Sequence, residues 1–423
     1  NTVSHGYTPQ VLVHVSPTQC SRDDYSLSGI HISRSPESTS TGRGESMLIA
    51  CITALVFFIW AGTPISFVML LTTFFMLLTE SGISLMTLPQ RMVIGTDSFI
   101  MLAIPLFLLA GRIMNTGGIT RRLFNFASVC VGHIPGGLGH VNILASLIFA
   151  GMSGSAAADA AGLGVIEIEA MREEGFDPGF SAAVTASSSV IGPIFPPSIP
   201  FVVYGGLAGV SIARLFLGGA IPAIILTVYM MIVTYIIATR RDYPQSKRAT
   251  FAQFLHAFRE AFLPLLTPVL ILASILFGLT TPTEAAVLAV AYAILLSVVI
   301  YKDMKLKDLW PLMVETAIEA GTIMFMISTV SAFTWIATRQ NVPQTLSAML
   351  LSLAKTPASL LFVTIVIFLI IGCFITVTTG LILAVPLLAP VAAALNLDPV
   401  HYGVVAVLTM CIGLVTPPVG LTL

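Results

Sequence analysis

Charge is the scarcest property of this sequence. Its 423 residues include 19 Lys or Arg and 20 Asp or Glu, only 9% of the chain, against 56% hydrophobic residues. A soluble domain carries about a quarter of its residues as charges. Seven of the charged residues precede Met47, which leaves 32 for the 377 residues from Met47 onward. So few polar groups cannot cover a water-facing surface of that size, and the mean hydropathy of +0.96 agrees. The composition requires lipid as solvent, with helix ends and short loops in water. A formal net charge of −1 provides no basic surface for a phosphate backbone, which excludes nucleic acid as a partner. The five cysteines form no CxxC pair, and Cys51, Cys130, Cys373 and Cys411 stand in apolar runs, where they read as small embedded hydrophobes. GxSxG, Walker, HExxH and dinucleotide fingerprints are all missing, so enzyme chemistry has no support and the chain is expected not to be an enzyme.

What is present is a succession of apolar segments. Residues 1–46 are polar and rich in Ser, Thr, Pro and Gly. They are expected to be a disordered tail, an interaction tail, or an artefact upstream of a native start at Met47. Residues 47–79 exceed one straight span of about 20 residues, and Gly62, Thr63 and Pro64 mark a break within them. Further apolar segments cover approximately 123–135, 138–153, 156–170, 180–204 and 212–239, then 261–279, 283–301, 311–337, 344–353, 358–375, 377–394 and 402–423. Several are too short to cross a bilayer, which predicts an all-α polytopic membrane protein with re-entrant hairpins and broken helices. The basic loops 112–122, 240–248 and 302–308 are assigned to the cytoplasm by the Lys and Arg bias, whereas the acidic stretch 171–178 escapes that rule.

An internal echo carries more information than any single segment. GPIFPPS starts at Gly192 and GLVTPPVG at Gly413, 221 residues apart, and each glycine precedes a Pro-Pro pair by the same interval. Gly151 and Gly372 keep the same offset, and Thr63-Pro64 recurs as Thr281-Pro282 at an offset of 218. Two halves that each place a small-residue segment before a Gly-x-x-x-Pro-Pro break are the pattern of repeated transporter halves. The reading divides the chain into a first repeat with N-terminal scaffold helices (47–240), a basic loop and amphipathic connector (241–260), and a second repeat (261–423). At the same offset the counterpart of 212–239 falls at approximately 433–460, beyond Leu423, so the second repeat is expected to be truncated.

A Pro-Pro pair removes two backbone donors and strands carbonyls inside the membrane, where they are tolerated only against a polar cavity, an ion or a ligand. Ser153, Ser155, Ser187, Ser188, Ser189 and Ser198 surround the first break, and Thr376, Thr378, Thr379 and Thr416 the second. Ser155, Ser188, Ser189, Ser198, Thr378 and Thr379 are the candidate substrate contacts, each also readable as a small helix-packing residue. Hydroxyls and carbonyls without a carboxylate cluster suit sodium better than zinc or a transition metal. Gly192 and Gly413 are both expected to be intolerant of bulk. Among the embedded acids, Asp159, Glu167 and Glu169 share one segment, Glu315 and Glu319 one helical face, and Glu284 reads either as a cap or as a functional group. His133 and His140, seven apart, are expected to be interfacial polar residues.

The runs AIPLFLLAGRIMNTGGITRRLFNF (103–126), FAGMSGSAAADAAGLGVIEIEAM (149–171), SSVIGPIFPPSIP (188–200) and TPTEAAVLAVAYA (281–293), with GLVTPPVG near the end, resemble the large membrane subunit of tripartite ATP-independent periplasmic transporters, the DctM-type permease. The resemblance covers essentially all of 47–423. It implies an inverted-repeat, elevator-type secondary transporter of the bacterial inner membrane. It further implies a sodium gradient as the driving force, delivery by a periplasmic solute-binding protein, a small permease subunit as partner, and an organic anion such as a C4-dicarboxylate as substrate. By the same resemblance one Na+ site matches Ala150, Ser153, Gly192, Phe195 and Pro197, and its counterpart matches Gly372, Gly413, Thr416 and Val419, mostly through backbone carbonyls. One departure stands out: related permeases carry Asp or Glu after the glycine matching Gly372, where this chain has Cys373, Phe374, Ile375, Thr376, Val377 and Thr378. A stand-alone secondary anion transporter and a noncatalytic membrane assembly subunit are the competing readings.

Overall fold

The computed structural model describes residues 53–54, 57–58, 61–79, 82–353, 356–417, 420 and 422; the 1–46 tail and Met47 lie outside them. The described secondary structure is helical throughout, without a strand. The first half contains α1 (Ile65–Thr79), α2 (Thr87–Thr96), a 3-10 turn (Phe99–Leu102), α3 (Ala103–Thr116), α4 (Ile119–Val131), α5 (Gly137–Ser153), α6 (Ala156–Glu173), α7 (Pro178–Ser189) and α8 (Ile199–Ala208). Two long helices follow, α9 (Ile212–Arg241) and α10 (Phe251–Leu276). The second half contains α11 (Pro282–Ile294), which continues in a π turn to Ile300, then α12 (Leu309–Arg339), α13 (Val342–Leu353), α14 (Pro357–Phe374), α15 (Val377–Ala394) and α16 (Pro399–Gly413). Seven stretches among the described residues are long and apolar enough to cross a membrane.

The offset of 221 organises this order. It carries α6 onto α15 at both ends and sets Pro178, the first residue of α7, on Pro399, the first of α16. The caps repeat as well. Asp177 accepts from the Phe180 N–H at 2.9 Å, and Asp398 accepts from the His401 N–H at 2.8 Å. Each acidic cap with proline at the first helical position satisfies a free donor and presets the helix. The 218 offset is realised as well, since Thr63-Pro64 opens α1 and Thr281-Pro282 opens α11. One element differs: α12 is continuous, whereas its counterpart is interrupted at Asp97 and Ser98 between α2 and the 3-10 turn.

Packing gathers most helices into two sets, which α4 bridges by packing against both α10 and α5. The first has α12 against α1, α2 and α3, α11 against α3, and α10 against α4 and α11. The second joins α5, α6 and α7 with α8 and α9 to α14, α15 and α16, through the pairs α8 with α15 and α9 with α16. Tyr204 on α8 ties the halves together by donating from Oη to the Pro399 carbonyl at 2.9 Å. Prolines stand inside α9 (Pro222), α10 (Pro264 and Pro268) and α15 (Pro386 and Pro390), and Pro264 is buried.

Within 241–260, a capping box between Thr250 and Gln253 starts α10 at Phe251 and runs it unbroken into the apolar segment. One expectation is corrected. Arg112 is not a loop residue; it lies within α3 and contacts α12. His140 is buried on α5 with 2% exposure.

Hairpin α5–α6 and hairpin α14–α15 each fold their tip onto a break. A side chain at Gly372 would stand 2.6 Å from the Met410 carbonyl, and one at Gly413 would stand 2.7 Å from the Gly372 Cα. Around Gly192 the nearest atom is 3.2 Å away, so the expected equal intolerance becomes unequal. Gly413→Ala is therefore expected to destabilise the purified protein by about 1–3 kcal/mol, the usual cost of overpacking, and Gly192→Ala by much less. Thermal unfolding in detergent measures both; equal shifts would contradict the crowding described.

Candidate functional site

Both hairpin tips and both breaks open onto one cavity of about 450 Å3. Gly154, Ser155 and Ala156 of the first tip face Thr376, Val377, Thr378 and Thr379 of the second. Pro193, Ile199 and Pro200 come from the first break and Leu414 from the second. Ser66 at the start of α1, with Glu319, Thr322 and Met326 on α12, closes the wall from the other helix group.

The sequence dictates why the chain turns here. Gly154 ends α5 in a left-handed conformation (φ 60°), and a Cβ on it would lie 2.7 Å from the Pro197 carbonyl oxygen, so the tip approaches the break as only glycine permits. Ser155 and Thr376 are 221 residues apart and immediately precede α6 and α15. Thr376 caps α15, its Oγ1 accepting from the Thr379 N–H at 3.4 Å and donating to the Thr379 hydroxyl at 2.8 Å. Ser198 caps α8 in the same manner, accepting from the Phe201 N–H. Three helices thus begin at the rim of one cavity. Apart from the N–H groups that Ser198 and Thr376 engage, their first-turn donors lack intrahelical acceptors and bring the positive end of the helix dipole to the rim, across from the Glu319 carboxylate in the same lining.

The candidate substrate contacts divide. Ser155, Thr378 and Thr379 line the cavity. Ser188, Ser189 and Ser198 stand outside it, fully buried. Ser188 donates to Asn142 Oδ1 at 2.6 Å, Asn142 donates to Thr185 at 2.7 Å, and Ser146 donates to Ser188 at 3.1 Å, a hydroxyl network that fixes α7 to α5. Ser189 donates to the Ala186 carbonyl and Ser198 to the Pro193 carbonyl.

The carbonyl positions assigned to ions converge at the two tips. The Ala150 carbonyl accepts from the Gly154 N–H at 3.2 Å, closing the first tip. Gly192 sits beside the Ser155 carbonyl. Among the described hydrogen bonds none ends on the carbonyls of Gly192, Phe195 or Pro197. Ser153 is the last residue of α5. At the second tip the Gly372 and Gly413 backbones are in contact, the Gly413 carbonyl accepts from the Thr416 N–H at 2.9 Å, and the Thr416 hydroxyl donates to the Ile412 carbonyl at 2.7 Å. Val419 lies outside the described residues.

The embedded acids take separate positions. Glu315 and Glu319 grip one guanidinium, accepting from Arg112 at 2.6 and 2.7 Å. Glu284 forms a capping box with Thr281. Asp159 and Glu167 are buried on α6, and Glu169 is exposed. Sequence reasoning missed Ser66, Thr322 and the Arg112 clamp, because pairing across helices leaves no spacing signature. It also missed Asp177-Pro178 and Asp398-Pro399, which repeat at the same 221 offset and were legible.

These placements separate two kinds of hydroxyl. Thr378→Val is expected to weaken substrate binding without lowering the melting temperature. Ser188→Ala, which leaves Asn142 Oδ1 without its buried donor, should cost about 1–3 kcal/mol of stability with substrate affinity retained. Binding and thermal unfolding measured on the same preparations check this; an affinity loss confined to Ser188→Ala would reverse the assignment.

Comparison with known proteins agrees with this architecture. Residues 52–423 match the family described as Tripartite ATP-independent periplasmic transporter, DctM component. The chain is 42% identical over 365 residues to the sialic acid TRAP transporter large permease protein SiaM of Vibrio cholerae, covering 86% of each chain. It is 39% identical over 382 residues to the sialic acid TRAP transporter permease protein SiaT of Haemophilus influenzae, covering 90% of this chain and 62% of that one. It is 37% identical over 328 residues to the C4-dicarboxylate TRAP transporter large permease protein DctM of Pseudomonas aeruginosa, covering 78% and 77%. With a membrane-spanning helical architecture and the family match over nearly its whole described length, this chain belongs to the DctM component family of tripartite ATP-independent periplasmic transporters, a family of transport proteins and not of enzymes.

Proposed function

We propose that the chain is the large permease subunit of a sodium-coupled importer of small organic anions, C4-dicarboxylate-like in size and charge, in the bacterial inner membrane. A periplasmic solute-binding protein delivers the anion and a small permease subunit completes the complex. The observation that carries this reading is the convergence of three helix N-termini and two hairpin tips on one cavity. Relatives named for sialic acid and for C4-dicarboxylates both transport organic acids, and sialic acid is the substrate class to separate from C4-dicarboxylates by experiment.

The donor set fits sodium. No group of three or more His, Cys, Asp or Glu that could hold a metal ion occurs among the described residues. The candidate ligands are carbonyls at Gly192, Phe195 and Pro197, with the Gly413 carbonyl, which also accepts from the Thr416 N–H, and the Thr416 hydroxyl oxygen, whose proton goes to the Ile412 carbonyl. Such oxygen ligands without clustered carboxylates suit a weakly held hard cation. Sodium between a tip and its break supplies the positive charge that compensates those carbonyls and holds the tip closed. The first-turn N–H groups of α6, α8 and α15 are then held toward the anion. The group containing α5–α9 and α14–α16 carries the loaded site past α12 and the helices packed on it and beside it, α1–α3, α10 and α11, in an elevator movement.

The complex reconstituted in liposomes, with pH clamped, is expected to accumulate succinate or sialic acid under an inward sodium gradient. Equal uptake when potassium replaces sodium, with dependence on a proton gradient, would contradict the sodium coupling.

A further inference from the structure

Glu319 is the only ionisable residue in the described lining of the hairpin-tip cavity, and it is acidic. A carboxylate on the wall of a cavity that takes an anion lowers affinity, because like charges at short range repel. A round cavity of about 450 Å3 is about 10 Å across, close to the Debye length at physiological salt, so mobile ions do not hide one wall from the other.

A compensating charge stands beside that carboxylate. Leu108 on α3 lines the cavity, and Arg112 lies one turn further along the same helical face. Glu319, Thr322, Ile323 and Met326 line it from α12, and Glu315 lies one turn before Glu319. Arg112 therefore meets both carboxylates at one end of the α3–α12 wall. Its Nη2 donates to Glu319 at 2.7 Å and its Nη1 to Glu315 at 2.6 Å, so the planar fork is held from two sides. One guanidinium between two carboxylates leaves the trio with a single net negative charge. The three side chains are 34%, 42% and 58% exposed, and ion pairs of that exposure contribute little to stability. The buried Ile104, Phe107, Ile113 and Met114 already fix α3 in the core. The larger consequence of the trio is the charge it sets on the cavity wall.

We infer that Arg112 is a positioning residue for anion binding: from outside the described lining it holds Glu319 in an ion pair and lowers the negative charge that the anion meets at the α12 wall. The inference rests on the organic-anion reading above but not on sodium coupling. Glu315 shares the same guanidinium and so leaves the wall weakly negative, which suits a site that must release its cargo as well as bind it.

Affinity should then follow the net charge of the trio. Binding of succinate and of sialic acid to the full chain in phosphatidylcholine nanodiscs is measured by calorimetry, with thermal unfolding recorded on each preparation. The unsubstituted chain is expected to bind at least one of them. Arg112→Gln, which leaves two negative charges, is expected to weaken that binding about tenfold, and Glu319→Gln, which leaves none, to tighten it severalfold. Arg112→Lys keeps most of the affinity. Arg112→Gln combined with Glu319→Gln restores the single negative charge and returns affinity to within about threefold of the unsubstituted chain, whereas the loss of a structural tie is not repaired by removing its second half. Arg122→Gln breaks an ion pair with Asp303, neither residue being in the described cavity lining, and leaves affinity unchanged. Glu319→Gln carries the test alone where Arg112→Gln does not fold. Unchanged affinity in Arg112→Gln, a loss that persists in the double variant, or an unchanged or weakened affinity in Glu319→Gln would each overturn the inference while the organic-anion reading stands. An unsubstituted chain that binds neither acid would overturn both.

Discussion

An interrupted helix in a lipid-soluble protein must have its unpaired backbone groups covered, and the closure of each hairpin tip over a Pro-bearing break meets that requirement here. Gly154 lies against the Pro197 carbonyl, and Gly372 against Gly413. These are backbone-to-backbone contacts, so they demand glycine and leave little room for adjustment. The rest of the organisation depends on them. Because the tips meet the breaks, α6, α8 and α15 start at a common place, at the rim of one cavity. Carbonyls left beside the same contacts are suited to a cation. Under the proposed function, this one constraint brings the anion site and the cation site within a few residues of each other, the arrangement that coupled transport needs.

The two halves share this device but not its details. The first tip turns through left-handed Gly154, whereas the equivalent Ile375 is extended. The arm α6 carries Asp159, Glu167 and Glu169, while α15 has only small and apolar residues and proline beyond its threonine-rich start. In the helix group that holds the clamp of Arg112 with Glu315 and Glu319, α12 is continuous where α2 and α3 are separate. The long unbroken α12 contributes Glu319, Thr322, Ile323 and Met326 to one wall of the hairpin-tip cavity.

Much of this could be read from residues alone, because proline and glycine act locally. The Pro-Pro breaks, the start of α1 after Pro64 and the 221-residue offset all follow from backbone chemistry that needs no partner, and Ser155, Thr378 and Thr379 are placed at the cavity by the same local logic. What could not be read depends on neighbours distant in sequence. Ser188 looks as available as Ser155 in the sequence, yet Asn142 and Thr185 engage it in the interior. Arg112 counted as a loop charge until its partners, 203 and 207 residues away, placed it between helices. The start of α10 at Phe251 was hidden by its amphipathic first turns, which read as a connector although the capping box at Thr250 and Gln253 was present in the sequence.

The central claim is that cation binding at the carbonyls holds each tip on its break. Hydrogen–deuterium exchange of the purified chain in sodium and in potassium tests it most directly, because the backbone amides concerned belong to short, identifiable segments. The account predicts that sodium slows exchange over 150–156, 192–197 and 372–379 while leaving the α9 and α10 segments unchanged. Identical exchange in the two salts at both tips would contradict it.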